Sequence, residues 1–375
     1  MASLLEHSLN RALDGRAATP EQKAASRRLV GCIFGGLRWF TRLSAGGYLV
    51  FLIVLWQLFR HVGEQNLTLA FGIYLPPAGW ALPLLVITPL ALLFDWLSLA
   101  FEGAAALLIV TQLMGWEWHS PRTPPAGAPV LSVLSFNRGE SKGSLEPFKN
   151  AMAPDVLLLQ DASSRQNYYA NAPGYEEFKY GDSIGQFTIA SKFPITDKEL
   201  IVDEAMPVAG RFTIDFQGRA VVIYNMHLPT PREPLRALFR GAFLWGTIGI
   251  TGPWKAKRES YEGWWHTQIG HVEAILRRAE AETQPCILAG DSNAPAMGYM
   301  HHLLTQKFTD SHEAAGSGCG MTFPGTTHNP LSAGGPWMRI DKILGNFAWE
   351  PLWNKAEPTR PSQHRAVAAA FALVK

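Results

Sequence analysis

The chain has 375 residues, 47% hydrophobic and 17% charged, with a formal net charge of +2. That length allows two or three structural units, and the near balance of charge offers no basic face of the kind a nucleic-acid partner favours. Three cysteines, Cys32, Cys286 and Cys319, lack metal-type spacing and read as unpaired thiols, which excludes a disulfide scaffold.

Residues 1–42 form a polar N-terminal segment with helical pattern from Met1 to Ala25. It does not read as a signal peptide, because its basic residues are not promptly followed by an apolar run and a small-residue cleavage site. Between Leu43 and Trp118 the only charged side chains are Arg60, Glu64, Asp95, Glu102 and Glu117. Three apolar stretches fill this region: Leu43–Phe59, Leu69–Phe94 and Trp96–Trp116. Each approaches the roughly 20 residues that a helix needs to cross hydrocarbon. Arg60, His61 and Glu64 make a short polar connection after the first, and Asp95 marks a tight turn before the last. Residues 43–118 are therefore predicted to be a transmembrane region of two or three helices, three being the preferred reading.

Arg27, Arg28, Arg38 and Arg42 precede the first stretch and Arg60 follows it. The positive-inside bias then puts the N-terminus in the cytoplasm. Three crossings carry the remainder of the chain to the opposite side, whereas two would leave it in the cytoplasm. The expected location is a multi-pass membrane protein of the bacterial inner-membrane type, with its catalytic domain outside the cytoplasm. The bilayer is its expected partner, and the sequence points to no specific protein partner.

Residues 119–129, "HSPRTPPAGAP", contain prolines at 121, 124, 125 and 129 and read as an extended linker. From 130 to 375 the pattern changes to short apolar runs separated by turns. "VLSVLSFN", "DVLLLQD", "QFTIAS", "RFTIDF", "AVVIYNMHL", "PCILAGDSN", "RIDKILG" and "AVAAAFALV" are predicted strands, and Ser144–Ala153 and Tyr261–Glu282 are predicted helices. Many strands with few helices between them indicate an α+β or layered α/β sandwich. The segment Pro229–Trp265 has an apolar core flanked by Arg and Lys. It either lies on a membrane surface or packs as a loop or hairpin on its own domain.

Several predicted strands end in ligand-type side chains. Asn137 closes "VLSFN", Asp161 closes "DVLLLQD", Asn225 and His227 lie in "YNMHL", and Asp291 and Asn293 lie in "AGDSN". Residues two apart on a strand share a face, so each of the last two pairs can point into one pocket. Oxygen-rich donors of this kind suit Mg²⁺ or Mn²⁺ rather than zinc.

These blocks, in this order, resemble the endonuclease/exonuclease/phosphatase superfamily, whose fold is the deoxyribonuclease-I-like fold. "PDVLLLQD" is similar to the family's P-D-[apolar]-x-Q-E, "YNMHL" to N-x-H-L, and "LAGDSNAP" to G-D-F-N. "GQFTIASKFPI", "MTFPG", "RIDKIL" and the terminal "SQHRAV" match further blocks, over the whole of residues 130–375. The resemblance implies a four-layer sandwich of two packed mixed β-sheets flanked by helices. It implies Asn137 and Asp161 as metal ligands, and His227, Asp291, Asn293, Asp341 and His364 as the catalytic group. Asp291 would orient and deprotonate the attacking water. His227 would act on the scissile phosphate or leaving oxygen. Asn225, Asn293 and His364 would contact substrate, and Asp341 would support His364.

Three positions depart from the pattern. Asp161 stands where a Glu is usual, Ser292 replaces an aromatic residue and is expected to affect packing only, and Gln363 replaces the Asp before the terminal His. The function expected is a membrane-anchored phosphoester hydrolase dependent on Mg²⁺ or Mn²⁺, acting on a lipid headgroup, a nucleotide or a small phosphoester. The alternatives are a nuclease acting on DNA or RNA, against which the near-neutral charge counts, and a non-catalytic binding relative.

Overall fold

The computed structural model describes residues 19–139, 143–237 and 253–374. They fall into two compact units, one running up to Trp56 and including Ala78–Val110, the other made of Gln57–Pro77 and the chain from Thr111 onward.

The first unit is helical. Its longest element is the helix Pro20–His61, followed by Leu84–Phe94 and Ser98–Leu108. Among the described residues, two helical stretches are long and apolar enough to cross a membrane, Lys23–His61 and Pro77–Phe94, while Ser98–Leu113 is shorter. Asp95, at the turn between the last two helices, is fully buried at its side chain. Arg42 holds it by two hydrogen bonds of 2.8 Å, Arg38 by one of 3.1 Å, and Ser98 Oγ donates a fourth at 2.9 Å. A bidentate arginine on a carboxylate neutralises a charge that apolar surroundings would otherwise expel.

The apolar stretch expected at Leu69–Phe94 is divided. Leu67–Ile73 forms a separate short helix whose Leu67, Ala70, Phe71 and Ile73 are buried, and it belongs to the second unit. Asn66 caps it by accepting from Thr68 N and Leu69 N. Pro76 and Pro77 follow, where the ring of a proline disfavours helix in the residue before it. The predicted transmembrane region 43–118 therefore differs from the observed division, because Gln57–Pro77 packs with the later sheets. Hydrophobicity alone could not tell a helix buried in protein from one buried in lipid.

Among its described residues, the second unit is built on three sheets. Its strands are β1 Glu117–Trp118, β2 Val130–Asn137, β3 Val156–Gln160, β4 Tyr180–Ile184, β5 Phe187–Ser191, β6 Ile195–Asp203 and β7 Met206–Phe216. They continue with β8 Arg219–His227, β9 Cys286–Asp291, β10 Thr309–Asp310, β11 Ser317–Gly318, β12 Asp341–Gly345, β13 Trp349–Ala356 and β14 Val367–Leu373. One six-stranded sheet has the order β13-β14-β2-β3-β5-β4, the other β10-β12-β9-β8-β7-β6, and β1 pairs only with β11. Both large sheets are mixed: β2 and β3 are parallel, as are β8 and β9, and the other pairs are antiparallel. Alternate residues point to the shared core, which joins Leu131, Val133, Leu158 and Phe371 of one sheet to Phe212, Ile223, Ile287 and Ile343 of the other. The outer face of the first sheet carries Leu134, Phe136, Leu157 and Leu159, covered by Phe148 and Tyr169 of the helices Glu146–Met152 and Gln166–Asn171. The helix Pro253–Glu280 lies against β6 and β7 of the second sheet. Two packed mixed sheets with flanking helices are the expected architecture.

The linker predicted at residues 119–129 does not stand free of this unit. His119 N and Arg122 N donate to the carbonyls of Gly316 and Leu352 at 3.0 and 2.8 Å. Of the segment Pro229–Trp265, Pro253 onward is helix, and the apolar part at residues 238–252 lies outside the described residues.

Candidate active site

The carboxyl ends of the two parallel pairs build the site, the end of a strand at which open α/β sheets commonly bind ligands. Asn137 ends β2 in register with Gln160, and Asp161 follows at once with a left-handed φ of 49°. His227 ends β8 directly opposite Asp291 at the end of β9, and Asp341 opens the antiparallel β12 beside the same Asp291. Asn137 Nδ2 then joins the two sheets by donating to Asp291 Oδ2 at 2.8 Å.

Asp291 is the centre of the arrangement and is fully buried. His227 Nε2 lies 3.7 Å and His364 Nε2 3.6 Å from its Oδ2, so two imidazoles face one carboxylate oxygen. Its Oδ1 accepts from Asn293 N at 2.9 Å. Behind His364, Asp341 Oδ2 lies 3.1 Å from Nδ1, which orients the ring with Nε2 toward the cavity. Burial alone would strip the charge from His364, but the carboxylates of Asp341 and Asp291 outweigh it and push the imidazole up to about 9. Asp341, buried and beside Asp291, is itself raised, with the His364 charge opposing. His227 Nδ1 lies 2.7 Å from Gln186 Oε1, an amide oxygen that accepts a hydrogen bond from a protonated Nδ1 and leaves Nε2 facing Asp291.

These groups floor a cavity of about 590 Å³. Asn137, Asp161, His227, Asp291, Asn293 and His364, all expected from the sequence, line it together, as does Gln363. Asp341 stands behind them. Asn225 does not reach the cavity. It is fully buried, donates to Leu159 O and Thr188 O at 3.1 and 3.2 Å, and accepts from Gln160 Nε2 at 2.6 Å. It shares a face with His227, as the spacing of two implied, but lies two residues deeper in β8, where its hydrogen bonds tie the sheets together. Asn293 Nδ2 donates to Leu228 O at 2.7 Å, so this amide shapes its own turn, with φ at 46°. Ser292 is more than a packing change: Lys342 Nζ donates to its hydroxyl at 2.8 Å, and Ser292 Oγ donates to Ile340 O at 2.7 Å. Burial, with Arg339 nearby, pushes Lys342 down to about 7.

Sequence reasoning missed Gln186 and Tyr74. Gln186, at the start of "QFTIAS", had only its place beside a strand to recommend it. Tyr74 lay in what read as a membrane span, and yet it lines the cavity and donates to Asn293 O at 2.7 Å.

The oxygens of Asn137 and Asp161 fit a hard divalent cation. A Cβ built on Gly139 would come 2.5 Å from Asp161 Oδ2 and 3.1 Å from Asn137 Oδ1, so both oxygens border one small space that the glycine leaves open. One charged and one neutral oxygen donor are the type Mg²⁺ accepts, at modest affinity. Asp291, Asp341 and His364 form a second close group of ligand-type atoms, within 4.8 Å of one another.

A model of the Endonuclease/Exonuclease/phosphatase family matches residues 138–364. No curated protein matches the sequence. Among solved structures, the chain resembles an endonuclease/exonuclease/phosphatase family protein from Leptotrichia buccalis, with 14% identity, a TM-score of 0.43, and coverage of 64% of this chain and 99% of that one. A protein described in the same way from Bacteroides thetaiotaomicron has 14% identity, a TM-score of 0.46, and coverage of 66% and 98%. Truncated Caenorhabditis elegans TDP2 has 20% identity, a TM-score of 0.41, and coverage of 65% and 98%.

Proposed function

The chain belongs to the endonuclease/exonuclease/phosphatase family, and from that premise we propose that it is a membrane-anchored phosphoester hydrolase that uses Mg²⁺ or Mn²⁺. Members of this family are generally hydrolases of phosphoester bonds and typically use divalent metals. The observation that carries the reading is the buried Asp291 carboxylate facing His227 and His364 at the floor of one cavity.

Asn137 and Asp161 would hold the cation, which when bound supplies positive charge against the phosphoryl oxygens. Asp291 orients a water and takes its proton. His364, protonated because two carboxylates face it, donates a hydrogen bond from Nε2 to a phosphoryl oxygen. His227, its ring fixed by Gln186, stands across Asp291 and serves the leaving oxygen. Asp341 and Asn293 act through their neighbours, one orienting His364, the other holding the turn of Asp291. A phosphoester needs these parts: an in-line water, a base for it, and charge on the non-bridging oxygens. Retention of the base, both imidazoles and their support favours an enzyme over a non-catalytic relative.

Anchoring is supported by the apolar outward surface of the first unit, where Leu85 is 72%, Val86 66% and Leu92 67% exposed. Three crossings are supported by chain connectivity. Gln57–Pro77 packs with Thr111–Lys375 in one unit, and two stretches of one domain lie on one side of a bilayer. The residues between them must then cross an even number of times. Two passages with the Asp95 turn between them, added to the first helix, make three. Arg38 and Arg42 of the first helix bind Asp95, which supports a turn near the arginine-rich end of that helix, the end that the positive-inside bias assigns to the cytoplasm. The catalytic unit would then face away from the cytoplasm.

The test is hydrolysis by the full chain in lipid nanodiscs. Bis(p-nitrophenyl) phosphate and p-nitrophenyl phosphate should be cleaved with Mg²⁺ or Mn²⁺, and EDTA should stop it. Phospholipid and nucleotide substrates beside plasmid DNA and RNA then separate the main reading from a nuclease. Preferred cleavage of nucleic acid would replace it.

A further inference from the structure

The turn that carries Asp291 and Asn293 is gripped by a segment more than two hundred residues away in sequence. Tyr74 closes the short helix Leu67–Ile73 and is buried. Its hydroxyl donates to Asn293 O at 2.7 Å. Its ring packs on Trp265 with centroids 5.3 Å apart, and its own carbonyl accepts from Trp337 Nε1 at 3.2 Å. Both ring and backbone are thus fixed before the hydroxyl reaches the turn. Asn293 sits at a φ of 46°, in the left-handed region that asparagine adopts more readily than other non-glycine residues, so the turn is intrinsically accessible and the Tyr74 hydrogen bond fixes its placement.

The far end of the same turn is held from the same segment. Glu64, 1% exposed, accepts from Tyr299 N at 2.7 Å and from Met300 N at 3.2 Å. Gly63, with φ 41°, lies so close to Tyr299 that a Cβ there would meet its backbone nitrogen at 2.7 Å. Glu64 Oε1 is buried without a hydrogen-bond partner. A carboxylate is costly to bury half-satisfied, and here it is kept where it fixes the chain just after the turn.

We propose that Gln57–Pro77, the last turn of the first helix and the connection that follows it, completes the active site, and that Tyr74 is a positioning residue that holds the Asp291–Asn293 turn in its working geometry. The proposal rests on the phosphoester hydrolase reading for its kinetic consequence, but not for its structural one. Tyr74→Phe keeps the ring against Trp265 and removes only the hydroxyl. Without that hydrogen bond Asn293 is freer to leave the left-handed region, and Asp291, whose Oδ1 accepts from Asn293 N, moves with it. A misplacement of about 1 Å at a catalytic group costs roughly a hundredfold in rate.

The experiment uses the full chain in nanodiscs, wild type beside Tyr74→Phe, with two readouts. For bis(p-nitrophenyl) phosphate and Mg²⁺, the variant should lose roughly ten- to a hundredfold in kcat with KM unchanged. In hydrogen–deuterium exchange, the peptide covering residues 290–300 should exchange faster in the variant. A raised KM with unchanged kcat would make Tyr74 a substrate contact and overturn the positioning role, as would unchanged kcat. Unchanged exchange would overturn the grip itself. If wild type hydrolyses nothing while the exchange still rises, the hydrolase reading fails and the structural coupling stands.

Discussion

His364 sits between two carboxylates, Asp341 at 3.1 Å on Nδ1 and Asp291 at 3.6 Å on Nε2. Its imidazole is pushed up to about 9 from an ordinary value near about 6.5. A raised folded value favours the folded state where the group is protonated. Its stability contribution is complete below about 6.5 and is lost as pH rises through about 9. If the charged form also binds the phosphoryl oxygen, turnover should fall along the same limb. Asp341→Asn removes the nearer carboxylate, so a pH–rate profile of that variant should show the alkaline limb moved toward neutral pH. An unmoved limb would detach Asp341 from His364. Gln363 is the other residue with a distinct expectation. It lines the cavity where the family pattern has Asp, and Gln363→Asp adds a carboxylate to the cavity that Asn137 and Asp161 also line. The Mg²⁺ concentration for half-maximal activity should drop several-fold, and a higher requirement would contradict this placement.

At the level of elements, the site depends on strands that end together. Gly290 immediately precedes Asp291 in β9 at a φ of 136°, and a Cβ there would collide with the carbonyl of Met226 in β8. Gly290→Ala therefore cannot keep both β8–β9 pairing and the position of Asp291. It should cost about 1–3 kcal/mol for backbone strain alone, read as a lowered denaturation midpoint with loss of activity. Which elements were legible in the sequence follows from the same pairing. The strands that carry Asn137, His227, Asp291 and Asp341 are central, buried on both faces, and were plain as apolar runs. The six described strands that were missed, the two-residue β1, β10 and β11 and the longer β4, β6 and β13, all lie at sheet edges. In the longer three, "YGDSI", "ITDKELIVD" and "WEPLWNKA" mix charged, polar and apolar residues without a continuous run, because one side of an edge strand needs no burial. The site was legible where motifs mark strand ends. For Asn225, period two fixed the face of the residue and not its depth. Tyr74 was hidden because apolar composition describes lipid-facing and protein-facing helices alike.

For the whole molecule, the chain alternates between its two units, leaving the first at Trp56 and returning to it at Ala78. Together with the positive-inside bias, this alternation motivates the proposed topology: N-terminus in the cytoplasm, three crossings, catalytic unit on the far side. A single cysteine placed at Asn66 and one at an exposed catalytic-unit position such as Tyr168 should both react with a membrane-impermeant maleimide applied from outside the cytoplasm, in a background without the native thiols. Opposite labelling of the two would break the connectivity argument. The central claim, hydrolysis at a site organised around Asp291, is tested most directly by turnover of bis(p-nitrophenyl) phosphate with Mg²⁺ by the full chain, wild type beside Asp291→Asn. The amide is nearly isosteric with the carboxylate but cannot take a proton. The account predicts that the variant melts like wild type and loses about two to four orders of magnitude in rate. A folded Asp291→Asn protein that turns over at the wild-type rate would contradict it.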